Sequence, residues 1–534
     1  MFTHLFFWGF FIFVLAFYSI VYKKNKLRTL FLLGVSLFFY FKTSGLFILL
    51  LLFTIFSDYT LGKLIHKNSD QKKRKLFLTI SVVLNLSFLC FFKYAYFFTE
   101  SYNQVVGTDY KFFNYFAQFS NSILSTSFSV GKVLPAIGVS FFTFQSLSYT
   151  IDLYRKKIEP VKSIFDYGFF VCFFPHLVAG PIVKANEFVH QIYQPYKLSK
   201  LEFGIALFWI INGFCKKIVA DYIAVNFIDR IFDSPGYYSG VEVIIGIFGY
   251  SLQIYMDFSG YTDMAIGLAL ILGYRLKTNF NSPYKATSTS EFWKRWHISL
   301  SSWLQEYLYI PLGGNKSGGI GSYIAISVIC LFMVLLSGKL WLIFVLLGLA
   351  VVLIVFALTF KNIKQNINTN INLMVTMLLG GLWHGSSWLF LIWGGLNGIG
   401  LVIHKFWKTI SPFKNTNSLG IKIVLMLITL TFISFTRIFF RSNSLEIVNT
   451  IFYRITHHLG LDVFFDVLIG YKIVIGIMLF GYLIHWIPEK IKTNYRHWFA
   501  KQPLPIMGAI VIFVVFIMYQ LMSGEMQPFI YFQF

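Results

Sequence analysis

Residues 339–359 read KLWLIFVLLGLAVVLIVFALT, and after Lys339 the run continues for twenty residues without a charge. A helix needs about 20 apolar residues to cross the roughly 30 Å hydrocarbon core of a bilayer, so this segment is long enough to span. It is not an isolated case. Working outward, comparable runs fall at 5–22, 28–62 (read as a tight pair), 74–98, 164–182, 203–222 and 240–273. More follow at 319–337, 371–407, 420–440, 468–488 and 504–523. Some of these must hold two helices, which predicts an all-α polytopic transmembrane bundle of roughly eleven to fifteen helices.

Composition agrees. Of the 534 residues, 57% are hydrophobic, 20% aromatic and only 13% charged. Soluble domains carry about 25% charged residues, so much of this surface faces lipid. The net charge of +23 does not point to nucleic acid, because the basic residues sit in short loops between apolar runs. Lys23, Lys24, Lys26 and Arg28 follow the first run, and Lys67, Lys72, Lys73, Arg74 and Lys75 lie between the third and fourth. Cytoplasmic loops are enriched in Lys and Arg, which places both loops inside and the N-terminus outside. The first run lacks a preceding basic region and a small-residue cleavage site, so it reads as a retained helix rather than a signal peptide. Cys90, Cys172, Cys215 and Cys330 each lie in apolar sequence without CxxC or zinc-ligand spacing, so neither a disulfide framework nor a metal site is expected.

There is no Gly/Ser linker, fixed-period repeat or long soluble-looking segment, so one domain over 1–534 is expected. Lipid does not tolerate unsatisfied backbone, so Asn281-Ser282-Pro283-Tyr284 must lie at an interface or be buried in protein. The stretch Tyr274–Gly318 is the least apolar long segment. Its Ser288-Thr289-Ser290-Glu291 has the form of a capping box and predicts a helix from there to about Tyr309. At 3.6 residues per turn, Phe292, Trp296, Leu300, Trp303 and Tyr307 share one side, with Lys294 and Arg295 elsewhere, as for a surface or re-entrant helix on the cytoplasmic side. A lipid-facing span is excluded by the roughly 2.5–3.5 kcal/mol cost of each cation at mid-bilayer.

Ionisable residues in apolar sequence are the candidates for chemistry. His384 lies in GGLWHGSSW (380–388), where glycines let helices approach and Trp383 and Trp388 wall a cavity. A neutral imidazole there can accept a proton from a hydroxyl, or it can donate a structural hydrogen bond across helices; position alone does not decide. His297 follows Lys294-Arg295-Trp296, a basic pair suited either to a phosphorylated donor or to lipid headgroups. Asp257 and Asp263, with Tyr255, lie in QIYMDFSGYTD (253–263) and must face a cavity or a cation inside the bundle. PAIGVSFFTFQ (135–145) and FPHLVAGP (174–181) combine helix breakers with polar side chains, which either line a substrate path or mark helix ends. Nucleotide-loop, nucleophile-elbow and H-E-x-x-H signatures are absent.

Five segments, in order, resemble the membrane-bound O-acyltransferase family and its bacterial alginate O-acetyltransferase-like branch: Gly138–Arg155, Phe174–Lys184, Tyr255–Gly267, Asn279–Gly314 and Leu379–Gly395. The resemblance covers about 90–405 strongly. It implies a central tunnel, an acyl thioester donor (acetyl-CoA or an acyl carrier) arriving from the cytoplasm and an acceptor approaching from outside. His384 matches the family's W-H-G histidine and His297 its second characteristic histidine. The expectation is an O-acyltransferase, with acetyl the expected group, of the bacterial cytoplasmic (inner) membrane serving polysaccharide modification. His384 is the expected general base and His297 helps hold the donor; Trp383, Trp296, Lys294, Arg295, Asp257, Tyr255 and Gln305 contact substrate. The acceptor is the polymer or a secreted hydrolase-like partner. D-alanyl transfer toward teichoic acid and a non-catalytic acyl transporter or scaffold are the alternatives. The sequence departs from the pattern at Asn315–Asn372, where runs 319–337 and 339–359 predict an inserted helical hairpin.

Overall fold

A computed structural model describes residues 2, 5–124, 126–128, 130, 138–177, 180–359, 363–413, 418–520, 527 and 529. Among the described residues the secondary structure is helical throughout, with no strand. Seven helical stretches among the described residues are long and apolar enough to cross a membrane: Asn25–Lys67, Gln71–Val106, Lys200–Asp233, Gly240–Ile271, Ile320–Ser337, Trp388–Ile410 and Leu419–Arg441. An eighth crossing is counted if Phe464–Gly470 and Lys472–Trp486, bent at 85°, form one span. The chain is therefore an all-α, multi-pass membrane protein, as its hydropathy predicts.

The folded chain forms two compact units, each assembled from separated segments. The first comprises Met1–Tyr40, Val161–Leu300 and Phe413–Phe534; the second comprises Phe41–Pro160 and Ser301–Pro412.

The first unit is organised around Gly240–Ile271, which starts at a full capping box between Ser239 and Glu242. It packs against Lys200–Ile223 along a seam of small residues. A methyl group added at Gly213 would sit 2.3 Å from the Gly260 carbonyl oxygen, and one at Gly267 would sit 2.5 Å from that of Ala206. Close approach of this kind is how membrane helices gain packing contact when lipid supplies no hydrophobic drive. Ion pairs stitch the same seam, Lys216 to Asp263 at 2.6 Å and Lys217 to Asp257 at 2.7 Å, and Lys217 also pairs within its own helix with Asp221 at 2.6 Å. The two carboxylates expected to find cations inside the bundle do so.

The run 164–182 is not a spanning helix. It breaks into Ile164–Cys172 and Phe174–Leu177, too short to cross, with Tyr167–Leu177 buried inside protein. The Phe174 amide donates to the Ser36 hydroxyl at 3.1 Å. Its apolarity reflects a protein core, which hydropathy does not distinguish from lipid. Two of the basic residues expected to act as topology signals make contacts inside the protein. Arg28 is buried and donates to the carbonyls of Gln194 and Ile192, and Arg74, buried in the second unit, donates to those of Tyr154 and Leu153.

The predicted helix from Ser288 to Tyr309 is the second correction. It forms three pieces: Thr289–Arg295, Ile298–Leu304 and a π turn at Gln305–Tyr309. The break falls at Trp296 and His297, where His297 adopts φ +45°. Ser288 caps the first piece through the Glu291 amide, while the Glu291 carboxylate reaches back to Thr287 rather than Ser288. Phe292, Trp296, Leu300, Trp303 and Tyr307 are all buried in protein, so this apolar face does not lie on the membrane. Of Asn281–Tyr284, Ser282, Pro283 and Tyr284 are buried and Asn281 is exposed.

In the second unit, Ile363–His384 and Trp388–Ile410 form a tight pair. A methyl group at Gly381 would meet the Phe390 carbonyl oxygen at 2.3 Å, and one at Gly394 would meet that of Met377 at 2.4 Å. The two apolar runs of the expected hairpin are helices, Ile320–Ser337 and Trp341–Thr359. The first packs Phe332 against Phe98 and donates from the Tyr323 hydroxyl to Asn368. The glycine-rich loop before it is docked on the His384 helix, where Asn372 donates to the carbonyls of Gly314 and Ser317 at 3.0 and 3.1 Å.

Candidate active site

His384 is the last residue of Ile363–His384 and is 3% exposed. Trp383 and Trp393 stand edge-on to its ring, with centroids at 5.0 and 5.1 Å. Trp383 stacks on Phe144 at 5.5 Å, and Phe144 stacks on Trp303 at 3.8 Å with parallel planes. The Trp303 indole N–H donates to the Phe144 carbonyl at 2.9 Å, which pins that row. The helix Val139–Tyr154, buried nearly end to end, thus presents its Phe141 and Phe144 to the histidine's neighbours. It is held in turn by Asp152, which accepts from the Tyr307 hydroxyl at 2.9 Å.

The end of the His384 helix carries carbonyls without intrahelical donors. Residues far away in sequence supply them. The Tyr94 hydroxyl donates to Leu382 at 2.6 Å, and the Lys93 ammonium donates to Trp383 and, at 3.1 Å, to His384. Sequence reasoning missed Lys93, although a single cation in FFKYAYFF (91–98) was a usable signal. Gln305, the remaining candidate of this unit, is exposed.

The other candidates lie in the first unit. His297 is fully buried, and its Nδ1 is 3.3 Å from Asn279 Oδ1. That Asn279 atom accepts from the Ser299 amide at 3.0 Å and hydroxyl at 2.8 Å, so it is the amide oxygen. An acceptor opposite Nδ1 puts the proton on Nδ1 and leaves the basic lone pair on Nε2. Phe258 stands edge-on at 4.7 Å. This burial pushes the imidazole down to about 3, so His297 is neutral at physiological pH.

Trp296 is packed rather than open on its faces. The Arg437 guanidinium lies 4.3 Å above its ring, and Phe292 stacks at 5.6 Å. Arg437, buried, donates to the Tyr284 hydroxyl at 2.5 Å and was not anticipated. Arg295 pairs with Glu291 at 2.8 Å and donates to the Asn281 carbonyl, while Lys294 is exposed. Tyr255 meets His485 edge-on at 4.6 Å, and His485 Nε2 accepts from the Tyr284 amide. Asp257 is bound to Lys217. His176 is fully buried between Phe173 and Phe188, and burial pushes it down to about 3. Residues 135–137 and 178–179 of the two breaker-rich motifs lie outside the described residues.

A family model described as MBOAT, membrane-bound O-acyltransferase family, matches residues 71–353, just over half of the chain. The chain belongs to the membrane-bound O-acyltransferase family. It is thus an O-acyltransferase, and the matched region contains His297 while His384 lies beyond its end. Among relatives, a probable alginate O-acetylase, AlgI, of Azotobacter vinelandii is 34% identical over 418 residues, covering 76% of this chain and 70% of the relative. A peptidoglycan O-acetyltransferase of Helicobacter pylori is 32% identical over 453 residues, covering 80% and 73%. A teichoic acid D-alanyltransferase of Bacillus subtilis is 25% identical over 216 residues, covering 39% and 54%.

Proposed function

We propose that this membrane-bound O-acyltransferase transfers acetyl from a cytoplasmic thioester, acetyl-CoA or an acyl carrier, to an extracytoplasmic hydroxyl in the modification of a polysaccharide. The observation that carries the reading is His384: an imidazole almost excluded from solvent, framed by two indoles, at a helix end held from outside by Lys93 and Tyr94. In this reading His384 takes the proton as the acceptor oxygen bonds to the thioester carbonyl carbon. The tetrahedral adduct then collapses, the C–S bond breaks and the leaving thiolate is protonated. A general base of this kind contributes about 10² to 10⁴ in rate.

His297, with its lone pair on Nε2, serves the donor. Lys294, exposed beside Arg295, meets the donor's anionic groups. Trp383, Trp296, Asp257, Tyr255 and Gln305 are the substrate-contacting residues of this reading, with Trp296 and Asp257 oriented by the Arg437 and Lys217 contacts they already make. The acceptor is the polymer itself or a secreted hydrolase-like partner that passes the acetyl on. The bacterial cytoplasmic (inner) membrane is the setting, with the N-terminus outside and the basic loops inside. In this reading the chain is one domain over 1–534, with 319–359 an addition to a core of about 90–405. The names of two relatives above 30% identity, an alginate O-acetylase and a peptidoglycan O-acetyltransferase, favour acetyl and a glycan over D-alanyl transfer.

The test is transfer of radiolabelled acetyl from acetyl-CoA in membranes carrying the wild type, His384→Gln or His297→Gln. Both variants are expected to accumulate normally and to lose transfer, the first most severely. Full transfer by His384→Gln would leave a passive acyl conduit as the better reading.

A further inference from the structure

We infer that Lys93 is a positioning residue for His384: its ammonium fixes the terminal turn of the histidine's helix and so the direction in which the imidazole projects. The inference rests on the reading of His384 as the base. Lys93 lies within the candidate span Gln71–Val106, where a cation costs about 2.5–3.5 kcal/mol to insert. Among the described residues no carboxylate lies within ion-pair distance of it. What it meets instead is the negative end of a helix, an environment that favours a cation.

The contact is specific. Lys93 and Tyr94, adjacent in sequence, cap three successive carbonyls, Leu382, Trp383 and His384, from 288 or more residues away. Both belong to a π turn, Cys90–Tyr94, set into an otherwise α-helical stretch, and such turns recur at functional sites. The ammonium also lies 5.8 Å from the centre of the Trp383 ring, so one side chain touches both the backbone and the indole that frame the imidazole. After His384 the chain leaves the helix through Gly385, packed so tightly under Phe390 that an added methyl would sit 2.0 Å from its ring. The imidazole is therefore borne on a turn clamped from both sides, with Lys93 as the polar clamp. A hydrophobic side chain at 93 would satisfy the membrane better and would leave two carbonyls at the base of the reactive residue without their donor.

The experiment measures acetyl transfer from acetyl-CoA in inverted membrane vesicles for Lys93→Met, Lys93→Arg, His384→Ala and the double variant Lys93→Met/His384→Ala. Displacing a reacting group by about 1 Å costs on the order of 10²-fold, so Lys93→Met is expected to lower kcat by roughly 10- to 100-fold with KM for acetyl-CoA unchanged. Lys93→Arg, which still donates to two carbonyls, restores most of kcat. The double variant is no slower than His384→Ala alone, because Lys93 acts through the histidine. Should Lys93→Met fail to accumulate, Lys93→Gln takes its place in the same comparison. Wild-type kcat for the Lys93 variant beside an inactive His384→Ala overturns the inference, as does Lys93→Arg failing to rescue. Retained transfer by His384→Ala instead overturns the reading of the base, whatever Lys93 does.

Discussion

Alanine at Gly381 is expected to disable the enzyme without unfolding it. The added methyl would sit 2.3 Å from the Phe390 carbonyl oxygen and 3.1 Å from the Gly394 Cα. Both are backbone atoms of the helix Trp388–Ile410, so no side-chain rotation relieves the clash. An ordinary carbon–oxygen contact is longer by about 1 Å, so the helices must part by about that much at the crossing, at a cost of roughly 1–3 kcal/mol. Trp393, on the displaced helix, is the ring that stands at 5.1 Å from His384, three residues along from the substitution. A shift of about 1 Å at a reacting group costs on the order of 10² in rate. Gly395→Ala is the control, because its methyl would meet only the Leu378 side chain at an ordinary 3.5 Å. Acetyl transfer and thermal unfolding in detergent should show Gly381→Ala folded, slightly less stable and about a hundredfold slower, with Gly395→Ala close to wild type. Equal and undiminished activity of the two variants refutes the argument that this close approach sets the histidine's surroundings.

Lys217→Met strips the cation from Asp257 and Asp221 in the interior of the first unit and should cost about 3–5 kcal/mol, seen as a large fall in the detergent melting temperature. An unchanged melting temperature means that those carboxylates do not depend on it. Ser299→Ala removes the acceptor of the buried Ile182 amide and a donor to Asn279, with an expected loss of about 1–3 kcal/mol by the same assay. The acid response follows from His297 and His176, both pushed down to about 3 by burial. Their unfolded-state values lie near 6.5, so below that pH the unfolded chain binds protons that the native chain does not. Stability should therefore fall as pH drops from about 6.5 towards 3, by up to about 1.4 kcal/mol per pH unit for each histidine. His297→Gln should flatten that slope by one group, measured by melting at a series of pH values.

Hydropathy revealed the class of fold because lipid imposes long apolar helices, and the glycines around Trp383-His384 announced the close helix pair that the structure contains. The same signal failed at 164–182, where Phe173 and Pro175 break a segment whose apolar residues face protein. Periodicity identified the buried face from Phe292 to Tyr307 but not the interruption at His297, since that φ of +45° is sustained by Asn279, eighteen residues earlier. The partners of the candidate site were the least legible part. Lys93 reaches across 291 residues to His384 and Arg437 across 153 to Tyr284, and no local pattern reports such pairings. Asp257 and Asp263 were legible as groups that need a cavity or a cation, because lipid exposure is costly, although which of the two, and which lysines, had to come from the structure.

The most direct measurement is mass spectrometry of the cell-surface polymer from cells expressing the wild type or His384→Ala at matched membrane levels. The account predicts that O-acetyl groups on the polymer disappear with the imidazole while the variant protein remains folded in the membrane. Acetylation that persists at the wild-type level would contradict it.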